Sequence, residues 1–282
     1  MAGRRQVKPM APARLQRKLI RVSGLDARTF LQGVLTQDVE RLSSAPVLYA
    51  GLLTPQGKVI ADMFLWDAGE GAVIIDAAAS GGADLMRRLA LYKLRAQVMI
   101  EDVSEARAIV VSDREFEDAV ADPRLPGLGW RALTGAELAP AYAEPSVFIA
   151  HRVGLGVPDL AIDASPEEVF ALEALFEELH GVDFQKGCFV GQENVSRMKR
   201  RATTRRKFCA LVFDGAPPPF GAAIHAGDAD LGSVRSGVEG KALALIRLDR
   251  ALEAARRGLE LQAGGKPVLL AAHDWLIMPS VG

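Results

Sequence analysis

Residues 182–197 read Val182-Asp183-Phe184-Gln185-Lys186-Gly187-Cys188-Phe189-Val190-Gly191-Gln192-Glu193-Asn194-Val195-Ser196-Arg197. Two glycines within five residues permit close backbone approach or positive φ. Between and around them stand a lysine, a lone cysteine, an amide, a carboxylate and an arginine, the residue types a functional loop uses. Lys186 and a nearby arginine would favour the thiolate of Cys188, the state needed for nucleophilic attack or for ligation of a soft metal. Free cysteine is also among the most often buried residue types, so a structural role for Cys188 stays open.

Upstream of this loop, Ser165-Pro166-Glu167-Glu168 combines an N-cap serine, proline at the first helical position and glutamate at the third, which predicts a helix ending at Gly181. Its stripe is Val169, Leu172, Leu175, Phe176 and Leu179, with Glu173 at the margin. Further back, Leu19–Val22 reads as a strand, and Phe30, Leu31, Val34 and Leu35 as the face of a helix capped by Asp26. Val47–Leu53 and Lys58–Trp66 form a hairpin across Thr54-Pro55-Gln56-Gly57. In its second strand the period of two puts Asp62 on the face of Ile60 and Phe64, a carboxylate between large apolar neighbours. Ala72–Ile75, a helix after Ser80, and strands at 97–100, 108–111, 130–133 and 147–150 follow.

Downstream, from Lys207, short alternating segments broken by Gly and Pro predict a small antiparallel barrel, with the domain break in the basic segment near 200–207. The chain therefore reads as α+β: a tail over 1–18, a domain of mixed sheets and helices over 19–204, and a C-terminal barrel over 205–282.

The 282 residues, 49% hydrophobic, carry 34 basic and 35 acidic side chains. No global charge draws the chain to nucleic acid or membrane, and no apolar stretch is long enough to span a bilayer. Only Cys188 and Cys209 occur, with four histidines, so neither a disulfide framework nor a self-contained metal site is expected and a reducing compartment fits. The cytoplasm is the default. A basic leader with Arg4, Arg5, Lys8, Arg14, Arg17 and Lys18 keeps the mitochondrial matrix as the alternative. A monomer is expected.

Lys186 through Glu193, with Arg197 four residues on, resembles the signature of the YgfZ family of folate-binding proteins, whose mitochondrial relatives assist late iron–sulfur cluster assembly. Arg21-Val22-Ser23-Gly24, Phe30-Leu31-Gln32-Gly33, Leu35-Thr36-Gln37-Asp38-Val39 and Leu53-Thr54-Pro55-Gln56-Gly57-Lys58 extend the resemblance over residues 19–207. It implies a fold similar to the aminomethyltransferase of glycine cleavage and a cavity for tetrahydrofolate or a one-carbon derivative. On the resemblance, Gly187, Gly191, Gln192, Glu193 and Arg197 would contact the cofactor. Glu173 looks like the transferase glutamate that pairs with the pterin's ring N–H and amine, a charge-assisted bidentate contact. It departs from the pattern in having Ala171 for proline and Leu175 for asparagine. Its alternative is an ordinary helix glutamate. Asp62 falls where the transferase carries an Asp-Asp pair, and would act as a desolvated general base or cap a strand end.

The functional expectation is a folate-binding accessory factor in iron–sulfur protein maturation, with Cys188, Lys186 and Asp62 as reactive residues and the assembly machinery or client proteins as partners. A tetrahydrofolate-dependent one-carbon transferase is the alternative. A factor for tRNA modification, using the basic run Arg197–Lys207, comes last because no aromatics interleave it.

Overall fold

The computed structural model describes residues 11–137, 145–202 and 204–279. In chain order the regular elements are β1 (Ala13–Leu15), β2 (Arg17–Ser23), α1 (Ala27–Val34), β3 (Val47–Leu53), β4 (Val59–Asp67), β5 (Val73–Ala78), α2 (Gly82–Lys93), β6 (Met99–Asp102), β7 (Arg107–Ser112), β8 (Val120–Ala121), β9 (Trp130–Gly135), α3 (Ser146–Gly154), α4 (Leu160–Asp163) and α5 (Gln192–Arg201). The C-terminal part adds β10 (Arg206–Val212), β11 (Ala223–Ala226), β12 (Ala229–Val238), β13 (Lys241–Arg247), α6 (Leu248–Arg256), β14 (Leu261–Ala263) and β15 (Lys266–Ala271).

Three sheets result. The first has order β3-β4-β5-β2-β6, the second β1-β7-β9-β8, and β10-β13-β12-β11-β14-β15 close into a barrel. Every residue of β3 is buried, because its two faces feed two separate cores. Val47, Tyr49 and Leu53 enter one, and Leu48, Ala50 and Leu52 the other, as a period of two requires. Under the second core lie Phe30 and Leu31 of α1 and Leu85 and Leu89 of α2. The first core joins the far face of this sheet to the second sheet and the barrel.

Between β3 and β4 the register slips. Leu52 opposes Ala61 and Leu53 opposes Val59, leaving Ile60 as an extra residue. This bulge, a device that re-aims side chains next to sites, reverses the alternation: Asp62 keeps the face of Phe64, whereas Ile60 packs against the other core.

Several expectations are corrected. Residues 13–15 and 17–18, read as tail, are strand: β1 pairs with β7, and β2 with β5 and β6. Arg4, Arg5 and Lys8 lie outside the described residues. Residues 147–150 belong to α3, not to a strand. Asp26 makes no side-chain cap on α1; its carboxylate accepts instead from the Gln97 amide at 2.7 Å.

The helix predicted over 165–181 does not form. The segment is a run of turns with left-handed φ at Glu167, Leu175 and His180, a conformation an α-helix excludes. Its main chain bonds to β4 instead, Glu167 N to Val59 O and Val59 N to Val169 O, both at 2.8 Å. The capping signal is nonetheless used. Ser165 N donates to the Glu168 carboxylate and Glu168 N to Ser165 O, which makes a turn and not a helix start. Among the described residues no helix is long and apolar enough to cross a membrane.

Candidate functional site: an anchored thiol loop and an acidic cavity

Loop 182–191 is fastened by the very segments that carried the sequence resemblance. Lys186 is buried, and its Nζ donates to the carbonyls of Gln32, Leu35 and Gln37, each at 2.8 Å. An ammonium has three N–H groups, so all of them are spent on the end of α1 and the turn after it. Burial lowers this amine to about 8, which leaves it charged at neutral pH. Thr36 Oγ1 donates to Gly181 O and accepts from Gly51 N, and Gln37 donates to His180 O. On the other side Gly191, with φ +85°, packs on the hairpin turn, where a Cβ would stand 2.6 Å from Thr54 O. Asn194 donates to Gln56 O. Gly191→Ala should therefore cost about 2 kcal/mol or more, from left-handed strain and the clash together, measured by denaturant unfolding. An unchanged midpoint would show that the loop does not depend on this approach.

On this platform Cys188 is exposed and free, while Cys209 is buried in the barrel, its thiol pushed up to about 12 by burial. Gly187 and Glu193 are exposed, Gln192 donates weakly to Gly187 O (3.4 Å) and Arg197 donates to Asn194. These residues form one loop–helix junction. Lys186, expected to promote the Cys188 thiolate, clamps main chain instead. The basic run is divided: Arg197, Arg200 and Arg201 lie on the open face of α5, whereas Arg206 and Lys207 pair with Glu173 and Glu178.

Two further cavities lie in a different region, apart from an open hollow of about 370 Å³ that residues 182–185 of the loop line with Arg41 and Lys199. One, of about 280 Å³, is walled by residues 59–62 of β4, Leu85 of α2, and Leu160, Pro166 and Val169. A second, of about 310 Å³, shares Ala78, Ser80 and Ala161 with it and adds Arg17 and Asp159. Each lies at the lower end of the size of small-molecule sites, about 300 Å³. Of the candidate site residues read from the sequence only Asp62 lines these walls, placed there with its three predecessors by the Ile60 bulge. Tyr49 Oη donates to its carboxylate at 3.0 Å. Burial raises the Asp62 pKa and Asp159 adds to the rise, opposed by Arg17, the Tyr49 hydroxyl and Arg124. A half-buried carboxylate with raised proton affinity, facing an apolar hollow, can accept an N–H or take a proton.

Glu173 is not in that wall. Both its oxygens accept from Arg206 at 3.0 Å, and one also takes the Phe170 amide, so the pairing expected with a pterin is made with the first strand of the barrel. Sequence reasoning also missed the charges behind Asp62. Arg17 and Arg131 pair with Asp76, Arg131 and Arg124 with Asp122, and Arg131 lies 3.3 Å from the Phe64 ring centroid. Burial opposes the Asp122 charge, but Arg124 and Arg131 together outweigh it and hold the carboxyl at about 2. No local motif marks these residues; they meet because β2 and β5, paired in the first sheet, lie against β9 of the second.

Residues 16–111 match the GCVT N-terminal domain and residues 205–277 the CAF17 C-terminal beta-barrel domain. The crystal structure of glycine cleavage system aminomethyltransferase T from Bartonella henselae superposes with a TM-score of 0.74 over 95% of this chain and 87% of that one, at 15% identity, a likeness of fold. These define the class: a protein of the GCVT-like aminomethyltransferase fold with a closed six-stranded, CAF17-type C-terminal barrel.

Among individual proteins the chain is similar to the iron-sulfur cluster assembly factor IBA57 homolog, mitochondrial, of Mycosarcoma maydis, 32% identical over 74% of this chain and 58% of the relative. It is also similar to the human mitochondrial iron-sulfur cluster assembly factor IBA57, 29% identical over 92% of this chain and 83% of the relative. The chain spans somewhat more than half the length of the fungal relatives from Mycosarcoma maydis and Neurospora crassa. These relatives carry the name IBA57, not the YgfZ label that the loop motif evoked.

Proposed function

We propose that this chain is an accessory factor in iron–sulfur protein assembly that presents Cys188 to a cluster in transit and holds a folate-class ligand in the Asp62 cavity. The supporting observation is an exposed thiol on a loop pinned from both sides, in a chain similar to proteins named for cluster assembly. Common clusters use four cysteine ligands. With Cys209 sealed in the barrel, one thiol is accessible, so the cluster is a shared substrate passed between the assembly machinery and a client.

The cavity fits a flat heteroaromatic ring: its walls are apolar apart from Ser80, Ser165 and Asp62, and Asp62 is the carboxylate acceptor for a ring N–H. Glu173 does not fit that role, being saturated by Arg206. When bound, a tetrahydrofolate supplies one-carbon chemistry. The chain's own residues supply the ring acceptor and exclude water. The raised pKa of Asp62 supports a second reading, tetrahydrofolate-dependent aminomethyl transfer. The names of the relatives favour the mitochondrial matrix over the cytoplasm as compartment, and the working oligomeric state is a monomer.

The test is complementation. In cells lacking the gene, wild type restores cluster-dependent enzymes and Cys188→Ala fails to; full restoration by that variant would remove the thiol from the function. In parallel, Asp62→Asn should abolish calorimetric binding of tetrahydrofolate while Glu173→Gln retains it. Turnover of an aminomethyl-lipoyl substrate lost in Asp62→Asn would favour the transferase reading.

A further inference from the structure

Two elements that carry residues of the cavity wall are joined by an ion pair. Leu85 of α2 stands in one wall, Pro166 and Val169 in the other. Arg88 lies three residues beyond Leu85 on the same helical face. Its Nη2 donates to Glu167 at 3.1 Å, and Glu167 sits between the two residues of the facing wall. The side chains retain 28% and 45% of their exposure and neither lines the hollow itself, so the bridge ties the two wall elements together on the solvent side, beside the hollow.

Three further features single this pair out. Arg88 has a second acid, Asp84, one turn earlier at 2.6 Å, so it stays held on α2 when Glu167 lets go. Glu167 is a non-glycine residue at φ +65°, a strained conformation, and its carboxylate meets Arg88. Its amide is tied to Val59 O, in the wall that carries Asp62.

Resting on the folate reading above, we infer that Arg88 is a ligand-recognition residue at the cavity mouth: it exchanges Glu167 for a carboxylate on the tail of a ligand whose ring lies against Asp62. The ligand class is a heteroaromatic ring with an acidic tail, and the Arg88–Glu167 bridge is the closed state of the unliganded mouth. A guanidinium suits this exchange because its planar fork matches any carboxylate.

The test is calorimetric titration of the full chain with tetrahydrofolate and with 6-methyltetrahydropterin, which keeps the reduced ring and lacks the acidic tail. Arg88→Gln should weaken tetrahydrofolate about tenfold, as for loss of a charge-assisted contact, and leave the tail-less compound within about twofold. Arg88→Lys should lose less. Glu167→Gln should tighten tetrahydrofolate by about threefold, the scale of an exposed ion pair, and added salt should shrink both differences. Equal weakening by Arg88→Gln and Glu167→Gln would mark the pair as a structural brace and overturn the inference, as would tetrahydrofolate binding indifferent to Arg88. If neither compound binds wild type, the folate reading itself fails and this inference falls with it.

Discussion

Replacing Asp76 by Asn is expected to lower the unfolding free energy by about 3–5 kcal/mol, the cost of leaving buried cations without their anion. Asp76 is fully buried and serves two guanidiniums, Arg17 from its own sheet and Arg131 from the second. Arg131 is itself buried, and burial has already brought it down to about 10 against the pull of Asp122 and Asp76. Three arginines and two aspartates make the network net positive; removing one aspartate doubles the excess inside a low-dielectric core, where charges are least screened. Removing Arg131 as well, in Asp76→Asn/Arg131→Met, should recover part of the loss, because the two positions share one network. A single-variant cost below about 1 kcal/mol would mean that water reaches these groups. The same network shapes the acid limb. Asp122 is held at about 2 when folded against an ordinary 3.8, so its contribution is fully present above 3.8 and fades as pH falls through 2. Acid unfolding in Arg124→Met should begin at higher pH than in wild type.

The second large effect is expected at Lys186. Lys186→Met removes three charge-assisted donors and leaves the carbonyls of Gln32, Leu35 and Gln37 facing an apolar side chain. At roughly 1 kcal/mol for each abandoned acceptor the cost is about 2–4 kcal/mol. The damage should be local. Hydrogen exchange at the amides of Asp183, Gln185 and Lys186, which are bonded to Thr36 O and the Asp183 carboxylate, should quicken far more than exchange in the barrel. Uniform quickening through the barrel would show that the clamp supports the whole fold and not one loop. This outcome also bears on the proposed function, because a thiol that was to dock against a partner's cluster would need a fixed position, which the lysine clamp supplies.

Under the proposed function the two sites would act in different ways. The thiol loop is rigid and open, suited to transient ligation between proteins; the Asp62 cavity is partly closed, suited to a small molecule. Neither Cys188 nor any other residue of the loop stands in the walls of the two cavities near Asp62, so the chemistry of one is not read directly from occupancy of the other. What joins them is the β3–β4 hairpin: its turn supports Gly191 and Asn194, and its bulged strand carries Asp62.

Local pattern was enough for the hairpin, for the faces of α1 and α2, for most barrel strands and for the division into a mixed α/β part and a barrel, since each depends on periodicities of 2 or 3.6 and on turn chemistry contained in a dozen residues. It also picked out the thiol loop, whose glycines and lysine are neighbours in the chain. It missed β14, three residues long, and α6, whose buried stripe is only Leu248, Ala251 and Ala254. It failed over 165–181, where a sound helix start was overruled by hydrogen bonds to β4, and it did not foresee that Glu173 meets Arg206 or that Lys186 meets the carbonyls of Gln32, Leu35 and Gln37, all more than thirty residues away. Opposite charges attract whatever their separation along the chain, and desolvation makes the attraction decisive once folding brings them together. Residue types could thus be read from order alone, but which carboxylate met an arginine, which lysine met carbonyls and which acid was left facing a hollow followed from packing three sheets against one another.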